Sequence, residues 1–448
     1  MNHIKRTICS TLALFAASFS VWSQPVEYNF DLKEALLFGL ENSLSIRQAV
    51  LDQSQSEHVV GEVRATGLPQ VTGEGQYQNF PNLPTQLLPG EIVGQPGTQI
   101  PVQFGTENTM SGTIKATQLI YNQQFFTGLR AAKSSRQLYE LLKIKTEEDV
   151  IYEVSNAYYM VLELKAQRNV LDSNVAQLNK LEELMKLQYE NDLVTQTDLG
   201  RIRVNRMNLQ TQLQSVKIGL EQQKNYLKLL LGMDISNTLI IRAPEDIEDV
   251  SLQTLQYEKE QSIELEILDQ QLTLNELNKK SIQAEYAPTL AVFGQQSWQA
   301  QRNEWNFFDS NQPWFQQTVV GVQLSVPIFD GLSKHHRIQQ SEIDIQKVRL
   351  QQTNAQRSLD MQFQNAREQL TNSLASVEAQ RDNKELAKDV YEQTQLLYKE
   401  QVVGLTDLLD AEQAYRQAET SFYNELLKFR RSELDLLKAQ GQLQQIIQ

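Results

Sequence analysis

The chain has 448 residues, including 19 Gly and 11 Pro, and its formal net charge at pH 7 is −14. So few helix-breaking residues favour long helices over a loop-rich domain, and the acidic balance argues against nucleic acid as a partner. The single cysteine, Cys9, excludes a disulfide framework within the chain.

Residues 1–23 predict a secretory signal peptide. Lys5 and Arg6 precede a weakly polar to apolar stretch that runs to Trp22. Cys9 lies inside this segment, so the mature chain has no thiolate to act as nucleophile or metal ligand. No later stretch approaches the run of about 18 apolar residues that a membrane helix needs. A mature chain that crosses a membrane must therefore use strands, which indicates an outer membrane.

Two pairs of strands are predicted, each after a short helical pattern that ends near a proline, Pro69 or Pro288. The four strand-like segments are Val71–Phe80, Met110–Tyr121, Leu290–Trp298 and Val319–Ile328. Polar residues alternate with apolar or small ones; the first segment has Thr72, Glu74, Gln76 and Gln78 on one face and Val71, Gly73, Gly75 and Tyr77 on the other. Alternating strands of about ten residues are typical of a membrane barrel. Four strands cannot close one, so we expect neighbouring chains to complete it.

The loops that join these strands differ between the two pairs. The first loop contains Pro81, Pro84, Pro89, Pro96 and Pro101, and the second contains Trp305, Phe307, Phe308, Trp314 and Phe315. Aromatic residues at strand ends are predicted to lie at the lipid interface.

Two long stretches lack both Gly and Pro, from Leu129 to Leu199 and from Leu332 to Val403. A helix of roughly 65 residues is about 95 Å long. Alternate steps of four and three from Val150 to Met185 meet eleven positions, of which nine are apolar. The same stepping from Leu199 to Leu230 predicts a second helix, antiparallel to the first and joined to it by a short tip, as in a coiled-coil hairpin.

The chain is predicted to be an internal duplication. Adding 209 to the positions of the second helix gives a matching series, and Gly441 then stands opposite Gly232. The series reads Leu408, Ala411, Tyr415, Ala418, Phe422, Glu425, Phe429, Ser432, Leu436 and Ala439. The predicted helix that precedes this series matches the stepped positions from Val150 to Met185 less well, because it has polar residues at Ser373, Gln380, Lys384 and Thr394. We therefore divide the mature chain into a first repeat at 24–232, a linker or equatorial segment at 233–257 and a second repeat at 258–448.

Three segments resemble motifs of the TolC family of outer-membrane efflux proteins, also called outer membrane factors. They are the tips YENDLVTQTDL from Tyr189 and YKEQVVGLTDLLDAEQA from Tyr398, and VQLSVPIFDG from Val322 at a strand-to-helix junction. Each repeat also has the family's order of helix, two strands and long helical hairpin. The resemblance covers essentially the whole mature chain.

The resemblance implies a mainly α fold with a transmembrane β-barrel portion. Three chains, as a homotrimer, would form a long antiparallel coiled-coil tunnel in the periplasm and a twelve-stranded barrel in outer-membrane lipid, with four strands from each chain. The function implied is that of a passive exit duct in a tripartite efflux or type I secretion system. A periplasmic adaptor and an inner-membrane pump are the implied partners.

The resemblance also implies a gate at the periplasmic tips. Acidic residues near the second tip form constricting rings in the family, and Asp407 and Asp410 match them. Asp198 and Tyr398 match members of the network that holds the gate shut. The basic residue that the family carries shortly after this tyrosine is replaced here by Val403.

Helix capping is the competing interpretation of these acids. Asp198 follows Thr195 by three residues and Asp407 follows Gly404 by three, and carboxylates suit the positive end of any helix. Three residues also separate Asp407 from Asp410, which places them on one face, where three-fold symmetry would gather six carboxylates. Such a ring would attract cations and bind multivalent ones.

The sequence contains no evident catalytic site. It contains no Gly-rich phosphate loop, nucleophile elbow or zinc-binding spacing, and His335 and His336 have no nearby cysteine or acidic cluster that would make a metal site. We therefore expect a protein that is not an enzyme and holds neither metal nor cofactor. The alternative is a periplasmic coiled-coil adaptor without channel activity, which would share the signal peptide and a hairpin but leaves the four strands unexplained.

Overall fold

The structure, a computed structural model, describes residues 27–94, 96–244, 247–248 and 262–447. The predicted signal peptide with its Cys9, and the end of the predicted linker from 249 to 257, lie outside the described residues. The chain divides into two compact units. The first comprises Met1–Ala49, Ile144–Ser262 and Arg357–Gln448, and the second comprises Val50–Lys143 and Ile263–Gln356.

The order helix, two long strands and two long helices occurs twice. The first part of the chain contains β1 (Glu27–Phe30), α1 (Leu32–Asn42), α2 (Leu44–Ala65), β2 (Gln70–Asn79), β3 (Thr85–Pro89), a 3-10 turn (Gly90–Val93), β4 (Gln99–Gln103), β5 (Asn108–Tyr121), α3 (Gln123–Glu190) and α4 (Gln196–Leu230). The second part contains β6 (Thr238–Ile241), α5 (Ile263–Ala284), β7 (Thr289–Arg302), β8 (Phe315–Ser325), α6 (Ser333–Lys399), α7 (Leu405–Ala439) and a 3-10 turn (Leu443–Ile446).

The lengths of the paired helices follow the predicted duplication. Helices α2 and α5 have 22 residues each. Helices α4 and α7 have 35 residues each, and both their first and their last residues are 209 positions apart. The boundaries of the repeats at 232 and 258 stay a prediction.

The stepped apolar positions, here called the seam, are buried in both hairpins. Val154, for example, has no exposed surface. The polar exceptions meet each other: in the first hairpin, formed by α3 and α4, Arg206 donates to the carboxylate of Glu182 at 2.6 Å. In the second hairpin, formed by α6 and α7, the buried hydroxyls of Ser373 and Ser432 lie 3.1 Å apart. In these two pairs a hydrogen bond offsets the desolvation of polar seam residues.

A two-stranded parallel sheet pairs β1 with β6 in the first unit. Strand β6 lies in the segment 233–257 that the sequence predicts as a linker. Beside it the fully buried Tyr158 donates a hydrogen bond to the carbonyl of Arg242. Helix α1 starts at a capping box, in which Asp31 and Glu34 exchange backbone-to-carboxylate bonds of 2.8 and 2.9 Å. Glu34 also accepts a bond from Arg242 at 2.6 Å, so the cap and the sheet hold each other in place.

In the second unit, β2, β5, β7 and β8 form an antiparallel sheet in that order. Directly opposite residues share a face, and the register collects most apolar residues on one face: Val71, Met110, Ile114, Ala116, Leu290, Val292, Trp298, Val320, Val322 and Leu324. The other face carries Thr72, Glu74, Gln76, Thr113, Lys115, Thr117, Gln295, Ser297, Gln317 and Gln323. Exceptions include Gln118, Gln296, Gln316 and Thr318 on the apolar face, with Asn79, Asn108 and Arg302 at its end, and Leu119, Ala291, Phe293, Phe315 and Val319 on the polar face.

The sheet has two edges. Within the described chain, β2 pairs only with β5 and β8 pairs only with β7, so the outer N–H and C=O groups of β2 and β8 are available to another strand. Strand β8 ends at Ser325, three residues before the predicted end at Ile328, because Pro327 lacks the N–H that a continuing strand would use. Asp330 then accepts a 2.9 Å bond from the amide of Lys334 in the first turn of α6.

The proline-rich loop contains a hairpin that the sequence analysis missed. Strands β3 and β4 pair antiparallel, with Leu87 opposite Pro101 and Pro89 opposite Gln99. In a two-stranded hairpin each strand has a free side, where a proline without an N–H is tolerated.

The aromatic loop packs partly on itself. The ring of Trp305 meets that of Tyr77 at 4.7 Å and that of Phe307 at 5.4 Å, both edge to face. Phe307 is almost completely buried, which contradicts its predicted place at a lipid interface. Phe308 and Phe315, in contrast, are exposed.

Polar contacts join the helices of the second unit. The side-chain amide of Gln270 on α5 donates to the carbonyl of Ser134 on α3 at 2.7 Å. Arg337 on α6 donates two bonds, of 2.7 and 2.9 Å, to Glu285 after the end of α5. Among the helices in the described ranges, none has the length and apolar character needed to cross a membrane.

A left-handed glycine ends α4. Gly232 has φ of +70°, and the amide of Met233 bonds back to the carbonyl of Lys228 at 2.9 Å. A Cβ at this position would lie 2.3 Å from the carbonyl oxygen of Asn42. Both the backbone conformation and the close approach of α1 therefore require glycine.

Gly232→Ala should destabilise the first unit. The left-handed conformation alone costs about 1–2 kcal/mol for a residue with a Cβ, and the clash with Asn42 adds to it. The midpoint of heat denaturation of the purified protein, followed by far-UV circular dichroism at one scan rate, should fall. The control is Gly200→Ala, in the interior of α4, where a Cβ meets nothing within 4 Å. It should raise the midpoint, because alanine favours a helix; equal effects of the two changes would contradict this account.

Candidate functional site

The two hairpin tips have the same backbone geometry. Asp192 in the first tip and Gln401 in the second, 209 residues apart, both lie in the left-handed region, with φ of 57° and 61°. In both tips the next amide bonds to the carbonyl five residues earlier at 2.9 Å. This pattern is the Schellman ending of a helix, here with a residue other than glycine at the left-handed position.

The helices that leave the tips start differently. At α4 the hydroxyl of Thr195 accepts from the amide of Asp198 at 3.2 Å, and the Asp198 carboxylate accepts from the Thr195 amide at 3.3 Å and hydroxyl at 2.6 Å. At α7 the Asp407 carboxylate accepts from the amide of Gly404 at 3.0 Å, and glycine has no side chain to return the bond. Both acids therefore act as helix caps, the first within a complete capping box.

Asp198 and Tyr398, the predicted gate network, lie close enough to interact electrostatically. The pKa of the half-buried Tyr398 hydroxyl is raised, first by burial and then by the charge of Asp198. In the described tips this hydroxyl bonds to Sδ of Met185 at 3.3 Å rather than to the Asp198 carboxylate. The structure thus places the two residues in one cluster without a hydrogen bond between them.

Asp407 and Asp410 are both exposed, one turn apart on α7. Asp410 lines an open cavity of about 580 Å³ between α4 and α7, together with Arg201 and Thr406. Arg201 occupies in the first repeat the position that Asp410 occupies in the second, 209 residues later. The acidic pair Asp407 and Asp410 therefore corresponds to an acid and a base, Asp198 and Arg201, in the first tip.

Arg201 also connects the two tips. Its Nη1 donates a hydrogen bond of 2.7 Å to Oγ1 of Thr406. The sequence pattern does not reveal this bridge, because Arg201 and Thr406 lie 205 residues apart in the chain. Because both side chains are exposed, the bridge stabilises the contact by only about 1 kcal/mol.

These tips and this fold can be compared with known proteins. Residues 255–442 match the family described as outer membrane efflux protein. This part of the chain is similar to the outer membrane efflux protein family. The match covers the second hairpin, and the first hairpin repeats its tip geometry and helix length 209 residues earlier. The resemblance predicted from the tip motifs is thus confirmed for residues 255–442.

Solved structures of outer membrane channels share the fold. The CmeC channel of Campylobacter jejuni superposes with a TM-score of 0.73 at 16% identity, over 92% of this chain and 85% of that one. VceC of Vibrio cholerae gives 0.71 at 15%, over 92% and 96%. The MtrE channel of Neisseria gonorrhoeae, in an open state, gives 0.69 at 17%, over 93% and 90%. The likeness confirms the predicted fold class. No curated protein sequence matches the chain.

Thr195→Ala should loosen the start of α4. Loss of an N-cap side chain costs about 1 kcal/mol, which corresponds to roughly fivefold faster exchange of the first-turn amides with deuterium when they exchange by local opening. Mass spectrometry of peptides that span residues 195–205 measures this rate. Thr197→Ala, in the same turn but outside the capping box, is the control and should leave the rate unchanged. Equal rates in the two variants would show that the box does not hold this turn.

Proposed function

We propose that the chain is a subunit of a trimeric outer-membrane channel-tunnel, a passive exit duct of a tripartite efflux or type I secretion system. The observation that carries the proposal is the register of the four-stranded sheet. It gives the sheet a mainly apolar and a mainly polar face, and it leaves β2 and β8 with one neighbour each in the described chain.

The apolar face suits lipid. Val320, Val322 and Leu324 of β8 have 81%, 67% and 63% of their surface exposed. A protein surrounded by water rarely exposes a continuous apolar surface of this kind, whereas a barrel strand turns such residues outward and its polar residues toward the lumen. The open edges of β2 and β8 need partners before the sheet can enter hydrocarbon. Three copies joined edge to edge supply them and close a twelve-stranded barrel.

The helical hairpins suit a periplasmic tunnel gated at its tips. In a trimer the six tips surround one axis, and three copies of Asp407 and Asp410 form the acidic ring. Arg201 occupies in the first repeat the position equivalent to Asp410, so three copies add three positive charges beside the three Asp410 carboxylates. The ring of Asp407 carboxylates has no such arginine at the equivalent position. Asp198 and Tyr398 belong to the contacts that hold the tips together, and the Arg201–Thr406 bridge adds a direct contact between the two tips.

Energy and cargo selection come from partners in this proposal. Members of this family work with a periplasmic adaptor and an inner-membrane pump, and we assign the same kind of partners to this chain. Its own role is conduction, so it is not an enzyme and uses no cofactor. The exposed hydrogen bond between Arg201 and Thr406 is weak, which suits a gate that an adaptor opens by moving the helices apart.

Reconstitution in a planar lipid bilayer tests the proposal against the adaptor alternative. The purified mature protein should give discrete, cation-selective single-channel currents that multivalent cations reduce from the periplasmic side. A protein that stays in solution and never inserts would favour the periplasmic coiled-coil adaptor.

Asp407→Ala combined with Asp410→Ala should weaken cation selectivity and block. Removing the carboxylates removes the ligands of a multivalent cation, so roughly tenfold more of it should be needed for half-block. Reversal potentials in a salt gradient and block titrations on single channels measure both effects. The control pair is Asp382→Ala with Glu385→Ala. These two acids are also three residues apart and exposed, but they lie on α6, away from the tip. Unchanged selectivity and block in the tip variant would remove the acidic ring.

Val322→Arg should prevent stable insertion of the barrel. A lipid-facing arginine costs about 2–4 kcal/mol near the bilayer midplane, and three copies enter each trimer. The adjacent Gln323→Arg points to the polar face and should be tolerated. The yield of trimer in outer-membrane fractions, measured on gels without heating, compares the two. Equal yields would mean that the mainly apolar face does not meet lipid.

A further inference from the structure

A cavity of about 300 Å³ lies between α3, α6 and α7 in the first unit, close to the tips. Its walls are mainly apolar and include Leu181, Leu184 and Leu408, with the rings of Tyr391 and Tyr398. One acidic side chain, Glu412 of α7, lines it. Cavities of this size with few polar groups are typical of small-molecule sites.

Glu412 is a buried carboxylate without a hydrogen bond. Only 5% of its surface is exposed, and neither carboxylate oxygen has a hydrogen-bond partner among the described residues. Glu412 forms an ion pair with Arg416, whose Nε lies 3.6 Å from Oε1, too far for a hydrogen bond, and this Nε has no hydrogen-bond partner among the described residues either. Burial raises the pKa of Glu412, against the opposing effect of Arg416. A buried acid in this state destabilises the fold.

The first hairpin shows what the second lacks. Its Glu182 is held by Arg203 at 2.9 Å and Arg206 at 2.6 Å. Burial of Glu182 opposes its ionisation, but these two bonds outweigh burial and lower its pKa. In the second hairpin the positions 209 residues later hold Tyr391, Glu412 and Tyr415, so the acid has moved to the other helix and both arginines are gone.

The tyrosines that replace this ion cluster are ordered. The rings of Tyr391 and Tyr415 stack with centroids 5.9 Å apart and planes 10° from parallel. The pKa of Tyr391 is raised by burial and then by the charge of Glu412, so its hydroxyl lies near the acid. The second hairpin thus keeps a carboxylate with no hydrogen-bond partner beside aromatic rings and an apolar cavity, an arrangement with no evident benefit to folding.

We propose that this cavity binds a small hydrophobic ammonium ion. The ammonium group donates hydrogen bonds to Glu412, and the apolar body fills the space between the leucines and the tyrosine rings, whose faces also attract a cation. Lys180 and Lys399 stand at the mouth, but both are exposed, so solvent screens their charges more than that of the buried acid. The site goes beyond the proposed conduction, because it requires only the hairpins.

Calorimetric titration with 4-phenylbutylammonium tests the site. The trimer in lipid nanodiscs is titrated, and the heat from empty nanodiscs is subtracted. Glu412→Gln keeps the shape of the side chain and removes its charge, so binding should become roughly tenfold to a hundredfold weaker. The neutral 4-phenyl-1-butanol should bind the native protein more weakly than the amine. Glu419→Gln is the matched control, since Glu419 is half-buried on the same helix, faces Lys384 and does not line the cavity.

A second variant tests the cavity without touching the acid. Leu184→Trp places a large ring at the mouth and should abolish binding, while Leu187→Trp, one turn on and outside the lining, should not. Absence of binding to the native protein, or equal affinity of the native protein and Glu412→Gln, would overturn the proposal. Binding is measured without current, so a failed conduction experiment and a failed binding experiment are told apart.

Discussion

Backbone hydrogen bonding at the two edges of the four-stranded sheet is the constraint on which the rest of this protein depends. β2 and β8 each have one row of N–H and C=O groups without a strand beside them in the described chain. In hydrocarbon such a row is not tolerated. In the proposed channel the chain therefore needs copies of itself, and every copy brings two hairpins with it. The number of tips and the symmetry of their charges in that proposal follow from this requirement.

Inside each hairpin, two polar residues at seam positions form a pair. Glu182 meets Arg206, and Ser373 meets Ser432, each across the seam between two helices. A single polar residue among heptad side chains would lose its water without replacement, whereas a pair specifies which residues face each other. These contacts fix the register of two helices that could otherwise slide by a heptad. Glu412, which lies beside the seam of the second hairpin, has a carboxylate with no hydrogen bond among the described residues.

The sequence predicted the features that depend on local pattern. Alternation within β2, β5, β7 and β8, the seam of each hairpin and the tips between helices all repeat at short range, and the structure has them close to the expected residues. The alignment of the apolar faces of four strands was beyond a single-strand pattern, because it depends on pairings such as Ile114 with Gln296, far apart in the chain. Strand β6 was missed because four residues carry too little alternation to detect.

The candidate site was predictable in part. The resemblance of the tip motifs led to Asp198, Asp407 and Asp410, which the structure places at the starts of α4 and α7; their role at a gate stays a prediction. The Arg201–Thr406 bridge was not predicted, because it joins residues of different hairpins. Nor did the seam pattern distinguish Ser373, which finds a partner in Ser432, from a polar residue that merely weakens the helix. In each case the missing information was which two distant residues meet.

Arg201 and Asp410 occupy equivalent positions in the two hairpins but carry opposite charges. This difference bears on how a ring of charged residues around one axis can evolve. In an assembly of six identical hairpins, one substitution changes six positions at once, so a ring of mixed charge is impossible. Joining two hairpins in one gene lowers the symmetry to three-fold, and each position around the axis can then be altered three copies at a time. In the proposed trimer, the two hairpins of each chain therefore supply two independently adjustable sets of charges at a single opening.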